Sequence, residues 1–498
     1  MKKLVIILAF LVTSVITAGA QITKTSTVDR PKLVVGLVVD QMRWDYLYYY
    51  HDDYGTGGLR RLLDGGYSFA NTMINYSPAV TAIGHSSIFT GGVPAITGIA
   101  GNWFWEDGKP VYCCTDTTVR SVGSNSKEGQ MSPRRMMGTT IGDELHLATD
   151  FKSKVIGVAL KDRAAILPAG HSANGAYWWD TSAGHFVSST FYMDKLPDWV
   201  VKFNDKNHTK PGFNIKTNDD GVTKTFLMAE AAVDGEGLGQ TDGRCDMLTV
   251  SVSSTDAIGH TYSTRGPENK SVYLRLDRDV AQFLDFLDSK VGRGNYLFFL
   301  TADHGASHNY NFLKQHRIPA EGWDYDKTVR DMNQYLRSQF PSMTADPVLG
   351  EDNYHFYFND KAYSADEKQS VIDAAVKWLQ TDKQFLWVVD NNKIAESTVP
   401  EPIKTRLING IAPRRSGEIT VVTRPQVFGA TVSPTYKGTS HGQPMAYDVH
   451  IPLVFYGWHV PQGESTAPAG ITDIASTVCA MLHIQAPDAS VGNPLEMK

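Results

Sequence analysis

Cysteine is scarce in this chain, with four residues in 498, and the four are badly placed for a metal-binding knot. Cys113 and Cys114 are adjacent, while Cys245 and Cys479 lie far apart, so no zinc-binding cysteine spacing occurs and a thiolate-held structural zinc is excluded. Neighbouring cysteines seldom bridge each other, because the closed ring is strained. Basic residues are also short: 47 Lys and Arg stand against 53 Asp and Glu, for a net charge of −6. No basic tract is present to track a phosphate backbone, which argues against a nucleic-acid partner. Internal repeats and low-complexity tracts are missing, and beyond the N-terminus no apolar run is long enough to span a bilayer.

The N-terminus reads as a secretory leader over residues 1–20. Lys2 and Lys3 form its positive end, Leu4 to Val12 its apolar segment, and Ala18-Gly19-Ala20 its small-residue cleavage site. Cleavage is expected before Gln21, with no cysteine following to carry a lipid. Loss of the two lysines would shift the net charge from −6 to −8. The mature chain is therefore expected to be exported, periplasmic or extracellular, without a stable membrane anchor. Export permits a disulfide, whose pairing the spacing leaves open. Cys479, within the apolar helical run 474–482, is expected to be an inert core thiol.

What the chain does have is a series of apolar runs, at 32–39, 154–160, 247–253, 295–301, 418–423 and 451–456. Helical patterns fall near 56–64, from Thr81 to the Gly91-Gly92 breaker, and over 268–290 and 470–483. Strands alternating with helices predict an α/β fold, a three-layer α/β/α sandwich around a mostly parallel sheet. Residues 21–498 are expected to form one domain with two inserted lobes. The first, about 176–245, opens on a predicted hairpin. The second, about 306–435, holds predicted strands at 354–358 and 385–389 and a helix at 366–379.

Three of the apolar runs end in carboxylates. Asp40 follows the first, Asp256 the third with His260 four residues on, and Asp303-His304-Gly305 the fourth. Carboxyl ends of strands are where an open α/β sheet places its ligand site. Far downstream His441 sits in Thr439-Ser-His-Gly442. Oxygen and nitrogen donors without thiolate suit zinc in a hydrolytic centre. Thr81 opens a predicted helix, where it could either cap the helix or serve as a nucleophile towards an incoming phosphate. Lys161 and Arg163 flank Asp162 after the second run, and in extended chain they would share a face towards one anion or towards solvent. Asn102, in a Gly-rich turn, could donate to a phosphoryl oxygen or simply shape the loop.

Together these residues resemble the alkaline phosphatase superfamily, most closely its PafA-type, phosphate-irrepressible secreted phosphatases. The resemblance rests on Val38-Val-Asp40, Ser77-Pro-Ala-Val-Thr81, Gly101-Asn102, Leu160-Lys-Asp-Arg163, Ser254-Thr-Asp256 with His260, Thr301-Ala-Asp-His-Gly305 and Ser440-His-Gly442, all in the family's order. It implies one zinc on Asp40, Thr81, Asp303 and His304, and a second on Asp256, His260 and His441. It also implies phosphoryl binding by Asn102, Lys161 and Arg163. The lysine stands where better-known bacterial alkaline phosphatases place magnesium, so no magnesium is expected. The implied reaction is hydrolysis of small-molecule phosphate monoesters, in two displacements through a phosphothreonine at Thr81; the oligomeric state is left open by the sequence, with a monomer favoured. A phosphodiesterase or nucleotide pyrophosphatase is the nearest alternative. A sulfatase fits less well, because Thr81 replaces the cysteine or serine that becomes formylglycine. A secreted zinc-binding protein without activity is the non-enzymatic alternative.

Overall fold

Leu33–Val39 is buried at every position, and so are the strands Asp246–Val252 and Tyr296–Thr301 on either side of it. Successive strand residues point to opposite faces, so complete burial means that both faces of the sheet are covered. The computed structural model describes residues 28–498, and the leader with its cleavage site lies outside the described residues. Residues 31–498 form one compact unit.

The central sheet has ten strands, in the order 463–465, 67–69, 453–457, 296–301, 33–39, 246–252, 155–159, 175–180, 185–189 and 121–122. Its middle is parallel, from Tyr296–Thr301 through Leu33–Val39, Asp246–Val252 and Val155–Ala159 to Gly175–Asp180. Leu453–Gly457 runs antiparallel to Tyr296–Thr301, and His185–Ser189 antiparallel to Gly175–Asp180. Register matters for the chemistry. Val39 lies opposite Val252 and Val38 opposite Thr301, so the three strands end level with one another. Asp40, the Ser253–Asp256 corner and Asp303 therefore emerge on one edge.

Helices Thr81–Thr90 and Asp162–Ala169 pack against each other, as do Asp220–Glu236 and Pro267–Leu287. The hairpin at 175–189 is not a separate lobe: both of its strands extend the central sheet. A different unit occupies the later insertion. There Val348–Asp352, His355–Phe358, Ile419–Thr423 and Phe385–Asp390 form a four-stranded antiparallel sheet. Helices Tyr325–Gln339 and Lys368–Leu379 help bury its own apolar cluster, which includes Trp323, Phe356, Val371 and Ile419. The 418–423 run thus belongs to this lobe and not to the parallel sheet, since an isolated β-rich run does not declare its partners.

No disulfide links the described cysteines. Cys113, Cys114 and Cys479 are buried free thiols, and Cys245 is buried as well. The Cys113 and Cys114 sulfurs lie 3.9 Å apart.

Candidate functional site

Asp40, Asp256, Asp303 and His304 are all buried where the three central strands end. Their backbones are tied together. The Asp40 N–H donates to Val252 O at 3.2 Å, and the Thr255 hydroxyl donates to Asp40 O at 2.6 Å. Asp303 Oδ1 accepts from the backbone N–H groups of Gln41 and His304, at 3.1 and 3.0 Å. The other oxygens do less. Asp40 Oδ1 and Asp303 Oδ2 are buried and have no hydrogen-bond partner. A buried carboxylate oxygen without a donor is costly unless a cation satisfies it.

The histidines point to the same conclusion. His304 Nδ1 faces Gly305 O at 2.9 Å, His260 Nδ1 faces Thr439 O at 2.9 Å, and His441 Nδ1 faces Ala79 O at 2.8 Å. A carbonyl oxygen only accepts, so each Nδ1 carries a proton, and in the neutral ring Nε2 presents a lone pair. Orientation by a backbone carbonyl is the usual support of a metal-binding imidazole. His441 Nε2 lies 3.3 Å from His260 Nε2, and His260 Nε2 lies 3.1 Å from Asp256 Oδ1. His304 Nε2 lies 3.6 Å from the unpartnered Asp40 Oδ1 and 3.5 Å from the unpartnered Asp303 Oδ2. Lone pairs converging at such distances repel unless cations sit among them.

Two sets of donors have the spacing to hold a metal ion: Asp256, His260 and His441, and Asp40, Asp256 and His304. Asp256 belongs to both, so it stands between the two sets. The donors are all carboxylate or imidazole, a set that suits zinc.

Thr81 does not cap its helix. It is the first residue of Thr81–Thr90, whose preceding residue Val80 is extended and makes no side-chain cap. The Thr81 hydroxyl instead lies 3.4 Å from His304 Nε2. Asn102 takes over at the helix start, its Oδ1 accepting the Ala82 N–H at 2.9 Å. That contact turns the amide nitrogen of Asn102 away from the helix and leaves it to donate.

Lys161 and Arg163 do not share a strand face. Lys161 is extended, but the helix Asp162–Ala169 begins at once, so helical geometry and not strand alternation places Arg163. Lys161 Nζ lies between two carboxylates, 2.6 Å from Asp40 Oδ2 and 2.6 Å from Asp256 Oδ2. Arg163 Nη1 donates to the Tyr112 hydroxyl at 3.1 Å, and its Nε is buried without a partner.

Burial opposes ionisation throughout this cluster, and fixed charges decide the outcome. For Asp303 burial is overcome by His304 and His85, and its carboxyl is held below the usual range. His260 and Lys161 likewise overcome burial at Asp256 and hold it well below that range. Asp40 goes the other way: burial, with Asp256 and Asp303 nearby, raises it well above. Burial lowers His304 and His441, which keeps both imidazoles neutral at pH 7.

Several contributors carry no signal in the sequence. Gln41 donates from Nε2 to Asp256 Oδ1 at 2.6 Å, from a left-handed backbone at φ 66°. His85 Nδ1 lies 2.9 Å from Thr81 O and 3.3 Å from Asp303 Oδ2, with its Nε2 2.7 Å from Ser251 Oγ. Gln41 is adjacent in sequence to Asp40, and His85 lies one turn beyond Thr81; those placements are their only marks.

Comparison with known proteins accounts for nearly the whole chain. Residues 34–443 match the type I phosphodiesterase / nucleotide pyrophosphatase family. The chain is 45% identical to alkaline phosphatase PafA of Elizabethkingia meningoseptica, over 96% of each protein. It is 43% identical to a Myroides odoratus protein described as a calcium-transporting ATPase, over 94% of each. It is 41% identical to alkaline phosphatase PhoV of Synechococcus elongatus, over 94% of this chain and 92% of that one. The crystal structure of wild-type PafA superposes with a TM-score of 0.88 at 44% identity, over 94% of this chain and 99% of that one. Murine ectonucleotide pyrophosphatase / phosphodiesterase 5 shares the fold, with a TM-score of 0.53 at 15% identity over 93% of this chain and 96% of that one. The chain belongs to the type I phosphodiesterase / nucleotide pyrophosphatase family, within the alkaline phosphatase superfamily.

Proposed function

We propose that this protein is an exported, zinc-dependent phosphate monoester hydrolase that works through a phosphothreonine at Thr81. The convergence of three imidazole Nε2 atoms, two of them on rings held neutral by burial, and two unpartnered carboxylate oxygens beside the Thr81 hydroxyl carries this reading. Asp40, Asp303, His304 and Thr81 would hold one zinc, and Asp256, His260 and His441 the other. Zinc bound there supplies Lewis acidity, lowering the pKa of a coordinated hydroxyl and supporting charge on the entering and leaving oxygens. Magnesium is not part of the proposal, because the Lys161 ammonium already supplies a fixed cation between Asp40 and Asp256.

The chain's own residues set up the displacement. Helix Thr81–Thr90 aims its N-terminus at the phosphoryl group, and the Thr81 oxygen bonds to phosphorus as the ester's P–O bond breaks and its alcohol leaves with the threonine proton. Asn102 donates its free amide to a non-bridging oxygen, and Arg163 offers a guanidinium whose Nε awaits an acceptor. Lys161 adds positive charge behind them. Water then cleaves the phosphothreonine and restores Thr81. Positioning and electrostatics do most of this, as phosphoryl transfer asks little covalent chemistry of a protein.

A monoester is the favoured substrate because its dianion rewards two fixed cations more than a diester monoanion does. The relatives named alkaline phosphatase fit that choice. Ion transport finds no support in the fold, since no helix among the described residues is long and apolar enough to cross a membrane. The test is the ratio of kcat/KM for p-nitrophenyl phosphate and bis-p-nitrophenyl phosphate. The monoester should win by at least about a hundredfold; a preference for the diester would select the phosphodiesterase reading instead.

A further inference from the structure

The antiparallel lobe reaches the site through one turn. Between strands Val348–Asp352 and His355–Phe358, Asn353 and Tyr354 both adopt left-handed backbone, at φ 54° and 66°. A bulky side chain in that region costs on the order of 1 kcal/mol or more and persists only where its surroundings impose it. Here the two-residue hairpin loop closed by the Asp352 and His355 pair imposes it, and the loop lies beside two stretches of the candidate site. Asn353 Nδ2 donates to Trp103 O at 3.3 Å, one residue past Asn102. The Tyr354 ring packs where a side chain at Gly442 would go, one residue past His441.

Under this turn lies a cavity of about 270 Å³, lined by Trp323, Tyr325, Tyr354, Glu351, Asp352 and the metal-site residue His441. Trp323 and Tyr354 stack with centroids 5.8 Å apart at 23°, and Tyr325 meets Trp323 edge-on at 6.1 Å and 73°. Asp352 Oδ2 is buried without a hydrogen-bond partner, and no lysine or arginine pairs with Glu351 or Asp352 among the described residues. Burial pushes Glu351 up to about 8 and Asp352 up to about 7, with no cation nearby to oppose it. Glu351 Oε1 also accepts the Tyr354 N–H at 2.6 Å, which fixes the carboxyl beside the Tyr354 and Tyr325 rings, and aromatic rings beside carboxyls that lack a cation are complementary to an organic cation.

We propose that this recess is a leaving-group subsite, selective for phosphate monoesters whose alcohol carries an amine or a quaternary ammonium. It rests on the monoesterase reading and deepens it, since His441 links the recess to the reacting centre. The cationic end would lie against Tyr325, which is 37% exposed, and Tyr354, whose ring stacks on the buried Trp323, with Glu351 and Asp352 as its counter-charges. Above about pH 8, where both carboxyls are ionised, they would repel anionic leaving groups.

Binding of choline and of 3,3-dimethylbutan-1-ol to the zinc-loaded enzyme, measured by calorimetry at about pH 9 where both carboxyls are ionised, separates charge from shape. Choline should bind at least about tenfold more tightly than its neutral isostere. Equal or weaker binding of choline overturns the proposal. As a second measurement, the ratio of kcat/KM for phosphocholine and ethyl phosphate should fall about tenfold in the Glu351→Gln, Asp352→Asn double variant. Because it is a ratio, losses common to both esters cancel; an unchanged ratio overturns the subsite. Failure of the unaltered enzyme to hydrolyse ethyl phosphate would refute the catalytic reading, and the calorimetry would still decide the subsite.

Discussion

The Arg163 guanidinium donates from Nη1 to the Tyr112 hydroxyl at 3.1 Å, and that hydroxyl donates in turn to Asp162 Oδ1 at 2.6 Å. Tyr112 lies on the strand Lys109–Tyr112, which pairs with Trp103–Glu106 immediately after Asn102. One hairpin therefore carries Asn102 at its base and fixes the direction of Arg163 at its end.

Tyr112→Phe keeps the ring and removes the hydroxyl. The Asp162 contact is lost with it, and Arg163 gains freedom to leave the phosphoryl group. We expect kcat/KM for p-nitrophenyl phosphate to fall about tenfold, in line with a lost hydrogen bond to a charged group. The monoester-to-diester ratio should fall as well, because a diester depends less on the second cation. A purely structural tyrosine would lower both substrates together.

Helix Thr81–Thr90 approaches the end of strand Tyr296–Thr301 only because residue 84 is glycine. A Cβ at Gly84 would overlap the Asp303 backbone and its Cβ. Gly84→Ala should push the helix from the strand end, costing about 1–3 kcal/mol of stability as an overpacked contact does. Thermal unfolding gives the loss directly. Turnover should drop further than stability alone explains, since Thr81 and His304 move apart.

Glu351 and Asp352 give stability a pH signature. Both folded carboxyls lie above their ordinary values, at about 8 and about 7, because burial disfavours their charge. A carboxyl raised on folding stabilises most at low pH, where it is protonated in both states, and that contribution is lost as pH rises through the folded value. Between about pH 4.5 and pH 8 the parent protein should therefore lose Tm relative to Glu351→Gln, which cannot ionise. Parallel Tm curves for the two proteins over that range would contradict the assignment.

The sequence exposed the clustered carboxylates because their setting is local: Asp40, Asp256 and Asp303 each end an apolar run, and strands of equal register bring such ends together. His441 was legible as a donor type, but its pairing with His260 came only from the family resemblance, since their approach spans 181 positions. Contacts across such distances leave no periodic trace. Lys161 and Arg163 were found by type and misplaced by geometry, because a helix starting at Asp162 looks the same in sequence as a strand running on. Gln41, Tyr112 and the Asn353–Tyr354 turn were invisible for another reason: each acts by holding something else, and holding residues have no required chemistry of their own.

Zinc content measured together with activity bears most directly on the central claim. Purified protein should carry about two zinc ions per chain, and His441→Ala about one, with turnover lowered at least about a hundredfold. Chelation should abolish hydrolysis, and zinc alone should restore it. Full hydrolytic activity in protein stripped of zinc would contradict the two-metal centre beside Thr81.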